Sequence, residues 1–193
     1  MEVKTGKVAA IMETPKRGLM IGRFQPFHNG HLALAKQILA ECDELIVAIG
    51  SAQFNFIEKD PFTAGERITM IYRSLKEAGI ATRRCCMIPL ANYENNATWL
   101  NYLKIMLPQF SVVYSGNDFV KLLVEKQDPK IEVRKPKFMK KAQYNGTHIR
   151  SLMSKGKAWK RLVPPSTANF IDEIDGDKRV KLLAHVDSLP QSW

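Results

Sequence analysis

The chain has 193 residues, 45% hydrophobic and 25% charged, with a formal net charge of +10, which suits one water-soluble domain with enough apolar material for a real core. Its longest apolar runs, such as 45–49, fall far short of the ~18 to 20 residues that span a bilayer, and no secretory h-region opens the chain, so a cytoplasmic protein is expected. Cys42, Cys85 and Cys86 are odd in number and lack partners at metal-ligand spacing, so they read as reduced thiols packed as small hydrophobes.

Residues 1–16 mix charges with scattered apolar residues and show no clean period, which predicts a flexible N-terminal extension. From Arg17 onward short apolar runs alternate with amphipathic stretches, the pattern of an α/β fold with a doubly wound, mostly parallel sheet. Residues 18–21 read as the first buried strand and 32–39 as the following helix, with apolar residues at 32, 34, 35, 38 and 39. A second strand over 44–50 is β-branched and almost wholly apolar, as buried parallel strands are. Thr63 followed by Glu66 is a capping box, and the helix it opens runs to about Glu77 and stops at Gly79. Strands are predicted at 85–90, 111–115 and 131–133, and helices at 98–107, closed by Pro108, and at 118–125. Asn145-Gly146-Thr147 leads into a helix over 148–154 with Thr147 as N-cap, and 164–189 reads as two C-terminal helices.

Doubly wound folds place ligands at the carboxyl ends of their strands. The turn after the first strand is therefore the first place to look, and it is unusual. Gly22-Arg23-Phe24-Gln25-Pro26-Phe27-His28-Asn29-Gly30-His31 holds far more special residues than a plain connection needs. Gly22 and Gly30 permit close backbone approach, and Pro26 fixes the loop. His28 and His31 can both sit at the next helix's N-terminus, where unpaired N–H groups and the dipole favour an anion. Their imidazoles can donate to phosphate oxygens as charge builds there. Two histidines at this spacing are also compatible with a metal site, but no third ligand lies nearby in sequence. Neither a GxGxxG fingerprint nor a Walker A sequence is present, so the phosphate site is of another type.

A strand followed by His28-Asn29-Gly30-His31 and a helix resembles the HxGH nucleotidyltransferase superfamily. Further segments are similar to the archaeal-type nicotinamide-nucleotide adenylyltransferases. They are Gly50-Ser51-Ala52-Gln53, Asp60-Pro61-Phe62-Thr63-Ala64-Gly65-Glu66-Arg67, Asn96-Ala97-Thr98-Trp99, Ser115-Gly116-Asn117 and Asn145-Gly146-Thr147-His148-Ile149-Arg150. The resemblance implies a Rossmann-like nucleotidyltransferase domain over 17–193. It implies attack of the phosphate of nicotinamide mononucleotide (NMN) on the α-phosphorus of ATP, with Mg²⁺, to give NAD and pyrophosphate. Homo-oligomers, commonly hexamers, are implied as well.

Carried over residue by residue, the resemblance puts Arg23, His28, His31 and Arg150 on the reacting phosphates. Gly22, Phe24, Gly30, Lys59, Asn145, Gly146 and Thr147 are placed around ATP, and Ser51, Gln53, Asn96 and Trp99 around the mononucleotide, with the Trp99 indole able to stack on a pyridinium ring. No protein metal ligand is implied. Many relatives carry Ser-His where this chain has Asn55 and Phe56. His148 is expected to be an exposed first-turn residue.

The charge has a second reading. From Lys130 to Arg161 eleven Lys or Arg face one acid, Glu132, a local net of +10 that equals the excess of the whole chain. So concentrated a segment suits a polyphosphate ligand or, with Phe138, Tyr144 and Trp159 among its cations, a nucleic-acid surface.

Overall fold

The computed structural model describes residues 14–137 and 143–185. Most of the expected N-terminal extension and the end of the second predicted C-terminal helix lie outside the described residues. Five strands, β1 (Arg17–Gly22), β2 (Glu44–Ile49), β3 (Cys85–Pro89), β4 (Val112–Tyr114) and β5 (Glu132–Arg134), form one sheet in the order β3-β2-β1-β4-β5. Every pairing is parallel. The chain winds outward from β1 to β3, then returns to lay β4 on the other side of β1. The topological switch point therefore falls at β1, whose carboxyl end carries the unusual turn.

The period-2 geometry of the strands divides the core in two. Leu45, Val47 and Ile49 of β2, with Met20 of β1, pack under α1 (Asn29–Glu41), α2 (Ala64–Glu77), α5 (Gly146–Ser154), α6 (Pro165–Glu173) and α7 (Gly176–Leu183). Ile46 and Ala48, with Leu19, face α3 (Trp99–Met106) and α4 (Asp118–Gln127). Burial on both faces explains why β2 is apolar without alternation. Among the described residues no helix is long and apolar enough to cross a membrane.

The Thr63 capping box is present, with Thr63 Oγ1 accepting from Glu66 N at 3.2 Å and Glu66 Oε2 from Thr63 N at 2.9 Å. Two helix starts differ from expectation. Helix α1 begins at Asn29 rather than 32, because His28 itself is the N-cap. Helix α5 begins at Gly146 and its cap is Asn145, not Thr147, since Asn145 Oδ1 accepts from His148 N at 2.7 Å. Asparagine reaches the N3 amide from one position outside the helix, and this leaves the Thr147 hydroxyl in the first turn. At its other end α1 is tied to the sheet through Glu41, whose carboxylate accepts from Lys137, from Tyr114 and from Arg134. Those hydrogen bonds hold the carboxyl down at about 2.

Candidate active site

Arg67 organises the carboxyl ends of β1 and β2. It is wholly buried and gives its guanidinium entirely to main-chain carbonyls: Thr63 at 3.2 Å, Arg23 at 2.9 Å, Gly50 at 2.8 Å and Ser51 at 3.2 Å. One side chain thereby fixes the turn after β1, the turn after β2 and the start of α2. Gln25 adds a second tie, exchanging hydrogen bonds with Phe62 N at 3.0 Å and Phe62 O at 2.8 Å. The turns pay in backbone strain, with Phe24 and Ser51 both at φ +54°.

Within this frame His28 and His31 form a capping box made of imidazoles. His31 N donates to His28 Nδ1, and His28 N donates to His31 Nδ1, each at 3.3 Å. The rings stack with centroids 3.5 Å apart, and Phe24 and Phe27 pack on His31. A nitrogen that accepts from the backbone carries no proton, so each neutral ring holds its hydrogen on Nε2. Protonation would break the cap and set two cations face to face. Burial lowers His28 to about 4, and burial together with His28 pushes His31 well below the usual imidazole range. Both are therefore neutral Nε2–H donors at pH 7.

The same arrangement predicts acid sensitivity. Because the folded-state pKa values lie below the unfolded value near ~6.5, the unfolded chain binds more protons, and stability falls as pH drops through 6.5 toward the folded pKa, by up to about 1.4 kcal/mol per pH unit for each ring. Between pH 6.5 and 5, above the normal carboxylate range, thermal midpoints should decline in the wild type and less steeply in His28→Asn. A flat wild-type midpoint in that window would contradict the neutral pair.

The second phosphate-type motif meets the first. Helix α5 presents its N-terminus to the same space as α1, and a cavity of about 360 Å³ between them is lined by Arg23, His28, His31, Asn145, Gly146 and Arg150, among others. Close approach demands glycine here: a Cβ on Gly146 would sit 2.7 Å from the Gln25 carbonyl oxygen. Arg150 is buried and donates to that same oxygen at 2.8 Å. Burial, then the neighbouring Arg23, lower its pKa. Two helix N-termini, two neutral donors and two guanidiniums thus surround one hollow, which matches a chain of phosphates. Thr147 and Phe24 line it too, while Gly22 and Gly30 are backbone neighbours of the Phe24 and His28 rings. Lys59 is exposed at the tip of the 57–60 turn and is not on the cavity wall.

A second pocket, about 330 Å³, opens at the ends of β2 and β3, and its walls include Gly50, Gln53, Asn92, Tyr93, Trp99 and Tyr102. Trp99 is half-buried, packed on the core under its helix while reaching this pocket. Ser51 Oγ donates to Asn92 Oδ1 at 2.9 Å, and Gln53 Oε1 accepts from Asn92 N at 3.1 Å. Asn96 is exposed and outside the lining, whereas Asn92 is on it. Phe56 stands under the Arg179 guanidinium, 4.8 Å from its ring centroid. His148 is exposed.

Sequence reasoning missed Arg67, Asn92 and Tyr93. Arg67 had a visible signal: it shares the helical stripe of Met70, Ile71 and Ser74, all buried. The basic segment does not form a stacking face among the described residues. Trp159 is buried, Tyr144 lines the cavity between α1 and α5, and Phe138 lies outside the described residues. Arg134, Lys135, Lys137 and Lys160 are ion-paired.

Among the described residues no three His, Cys, Asp or Glu side chains cluster to hold a metal. The three cysteines are free thiols.

The chain is similar to known proteins over most of its length. Residues 19–177 match the cytidylyltransferase-like family. A nicotinamide-nucleotide adenylyltransferase from Caldivirga maquilingensis is 47% identical over 92% of this chain and 99% of its own. One of the same name from Methanococcus aeolicus is 48% identical over 86% of this chain and 94% of its own. Among solved structures, a bifunctional NMN adenylyltransferase/ADP ribose pyrophosphatase from Francisella tularensis, complexed with AMP and a manganese ion, superposes with a TM-score of 0.71 at 24% identity. It covers 88% of this chain, which spans about half, 52%, of that longer protein. That likeness concerns the fold, a parallel sheet flanked by helices. With these matches over nearly its whole length, the chain belongs to the nicotinamide-nucleotide adenylyltransferases of the cytidylyltransferase-like family.

Proposed function

We infer that this chain transfers AMP from ATP to NMN, giving NAD and pyrophosphate, by in-line attack of the NMN phosphate on the α-phosphorus. The observation that carries this is the cavity where the N-termini of α1 and α5 meet, lined by His28, His31, Arg23 and Arg150. A phosphate monoester, with a second pKa near ~6, is already an anionic nucleophile at neutral pH, so no protein base is needed. The protein's tasks are alignment of two mutually repelling phosphates and stabilisation of charge passing to pyrophosphate.

Arg23 and Arg150 supply positive charge for the triphosphate. His28 and His31 supply Nε2–H donors whose hydrogen bonds shorten as negative charge grows. Asn145, by capping α5, keeps the first-turn amides of Gly146 and Thr147 facing the outer phosphates, and Gly22, Phe24 and Gly30 shape the turn against them. Lys59 is a peripheral cation that steers polyphosphate rather than touching it. A divalent ion, Mg²⁺ in this reading, enters as part of the nucleotide substrate, carried on the phosphates. Ser51 and Gln53 brace the acceptor pocket through Asn92, and Trp99 stacks on the pyridinium ring, with Asn96 contributing at its rim. We take the setting to be the cytoplasm and the assembly to be a homo-oligomer, by analogy with the family.

Incubation with ATP, Mg²⁺ and either NMN or phosphopantetheine tests the reaction: NAD should form in the first case and dephospho-coenzyme A should not form in the second. Removal of the indole tests the acceptor site. Trp99→Ala should raise the Michaelis constant for NMN by about 3- to 30-fold, the equivalent of a desolvated cation–π contact. Turnover should change far less. If that constant stays put while only the unfolding temperature drops, Trp99 is a packing residue and nothing more.

A further inference from the structure

A buried carboxylate, Asp60, lies beside Arg23 at the edge of the phosphate cavity. Asp60 closes a tight turn, its amide donating to the Ile57 carbonyl at 3.0 Å, and it is only 4% exposed. Its Oδ2 lies 3.6 Å from Arg23 Nη1. Its Oδ1 is buried without a hydrogen-bond partner. A carboxylate so far out of water is costly unless cations stand close. Arg23 does, and the charge of Asp60 also favours the charged forms of Arg67 and Arg150.

The three arginines are held in different ways. Arg67 and Arg150 are hydrogen-bonded to carbonyls of the turn, on Arg23 O at 2.9 Å and Gln25 O at 2.8 Å. The Arg23 side chain is 43% exposed, and the ion pair with Asp60 lies beyond hydrogen-bond reach. A bidentate contact at ordinary length would have taken the guanidinium away from any phosphate. A charge at this distance steers it and leaves its N–H groups available.

We propose that Asp60 is a positioning residue for AMP transfer, holding the Arg23 guanidinium at the edge of the phosphate cavity so that it moves onto the triphosphate as the nucleotide enters. This rests on the reading that Arg23 meets ATP phosphates. The unpartnered oxygen fits such a role: a carboxylate saturated by fixed donors would pull less on Arg23. A rival role for Asp60 is that of structural counter-ion to buried Arg67, and the two separate in a double-mutant cycle.

Turnover, the Michaelis constant for ATP and thermal unfolding would be measured for Asp60→Asn, Arg23→Ala and the double variant. Positioning predicts that Asp60→Asn lowers kcat about 10-fold, changes the constant for ATP less than about threefold, and has no further effect once Arg23 is gone. Equal effects with and without Arg23, unchanged kcat, or an Asp60→Asn chain that does not fold would each overturn it, the last by making Asp60 the partner of Arg67. If Arg23→Ala lowers turnover while Asp60→Asn does not, positioning fails and the phosphate role of Arg23 stands. If Arg23→Ala itself leaves turnover unchanged, the underlying reading of Arg23 fails with it.

Discussion

Replacing His31 with alanine is expected to lower turnover by at least about 10²-fold, the usual consequence of losing one donor aimed at charge that develops in the transition state. The substitution does two things at once. It removes the Nε2–H, and it removes the Nδ1 that caps the His28 amide, which costs a further ~0.5 to 2 kcal/mol of helix stability. His31→Gln separates them, because glutamine at the third helical position can still accept from the N-cap amide. The glutamine variant should regain most of the lost thermal stability yet remain well below wild-type turnover. Were it to recover turnover together with stability, His31 would be a cap and not a donor. The neutral state of the pair sharpens the claim: a donor already neutral at pH 7 gives a turnover insensitive to imidazole titration above about pH 6, whereas a cationic His31 would not.

The turn from Gly22 to His31 was legible in the sequence because its residue types are out of place in a plain connection. So was the α2 start, where Thr63 and Glu66 satisfy each other's backbone without help from the rest of the fold. The buried strands were legible for a similar reason, since burial on two faces leaves a continuous apolar run. Features that depend on distant segments were not. Asn145 and Thr147 are both good caps on paper, and in the fold it is Asn145 Oδ1 that takes the His148 amide. Asn92 enters the pocket at the ends of β2 and β3 through hydrogen bonds with Ser51 and Gln53, which lie far from it in sequence. Nothing in the sequence marks Asp60 as buried, and in the fold it lies two residues before Phe62, whose backbone Gln25 holds against the turn. The basic segment divides between uses: Tyr144 and Arg150 line the cavity, while other cations are ion-paired. Net charge in a sequence window does not say which cations share a face, and Arg134 and Lys137 spend theirs on Glu41.

Arg67 is the sharpest case of a charge that sequence patterns underrate, and its replacement should be the most damaging to the scaffold. Arg67→Met keeps length and apolar stem but strips the donors from the carbonyls of Thr63, Arg23, Gly50 and Ser51. A buried acceptor left unsatisfied costs roughly 1 to 3 kcal/mol, and water admitted to the gap can satisfy some of the four. A net loss of at least about 3 kcal/mol follows, or roughly 6 to 12 °C in the thermal midpoint of a chain this size. Arg67→Lys should fall between, since a single ammonium cannot reach three separate turns as a planar fork does. The functional effect should exceed the loss of folded protein. At a temperature where the variant remains folded, turnover should still drop, because the backbone of Arg23 and that of Ser51 lose their common anchor and the phosphate and acceptor sites shift relative to each other. A methionine variant that unfolds at the wild-type temperature would show that the four carbonyls find other partners, and Arg67 would lose its place as the hub of both sites.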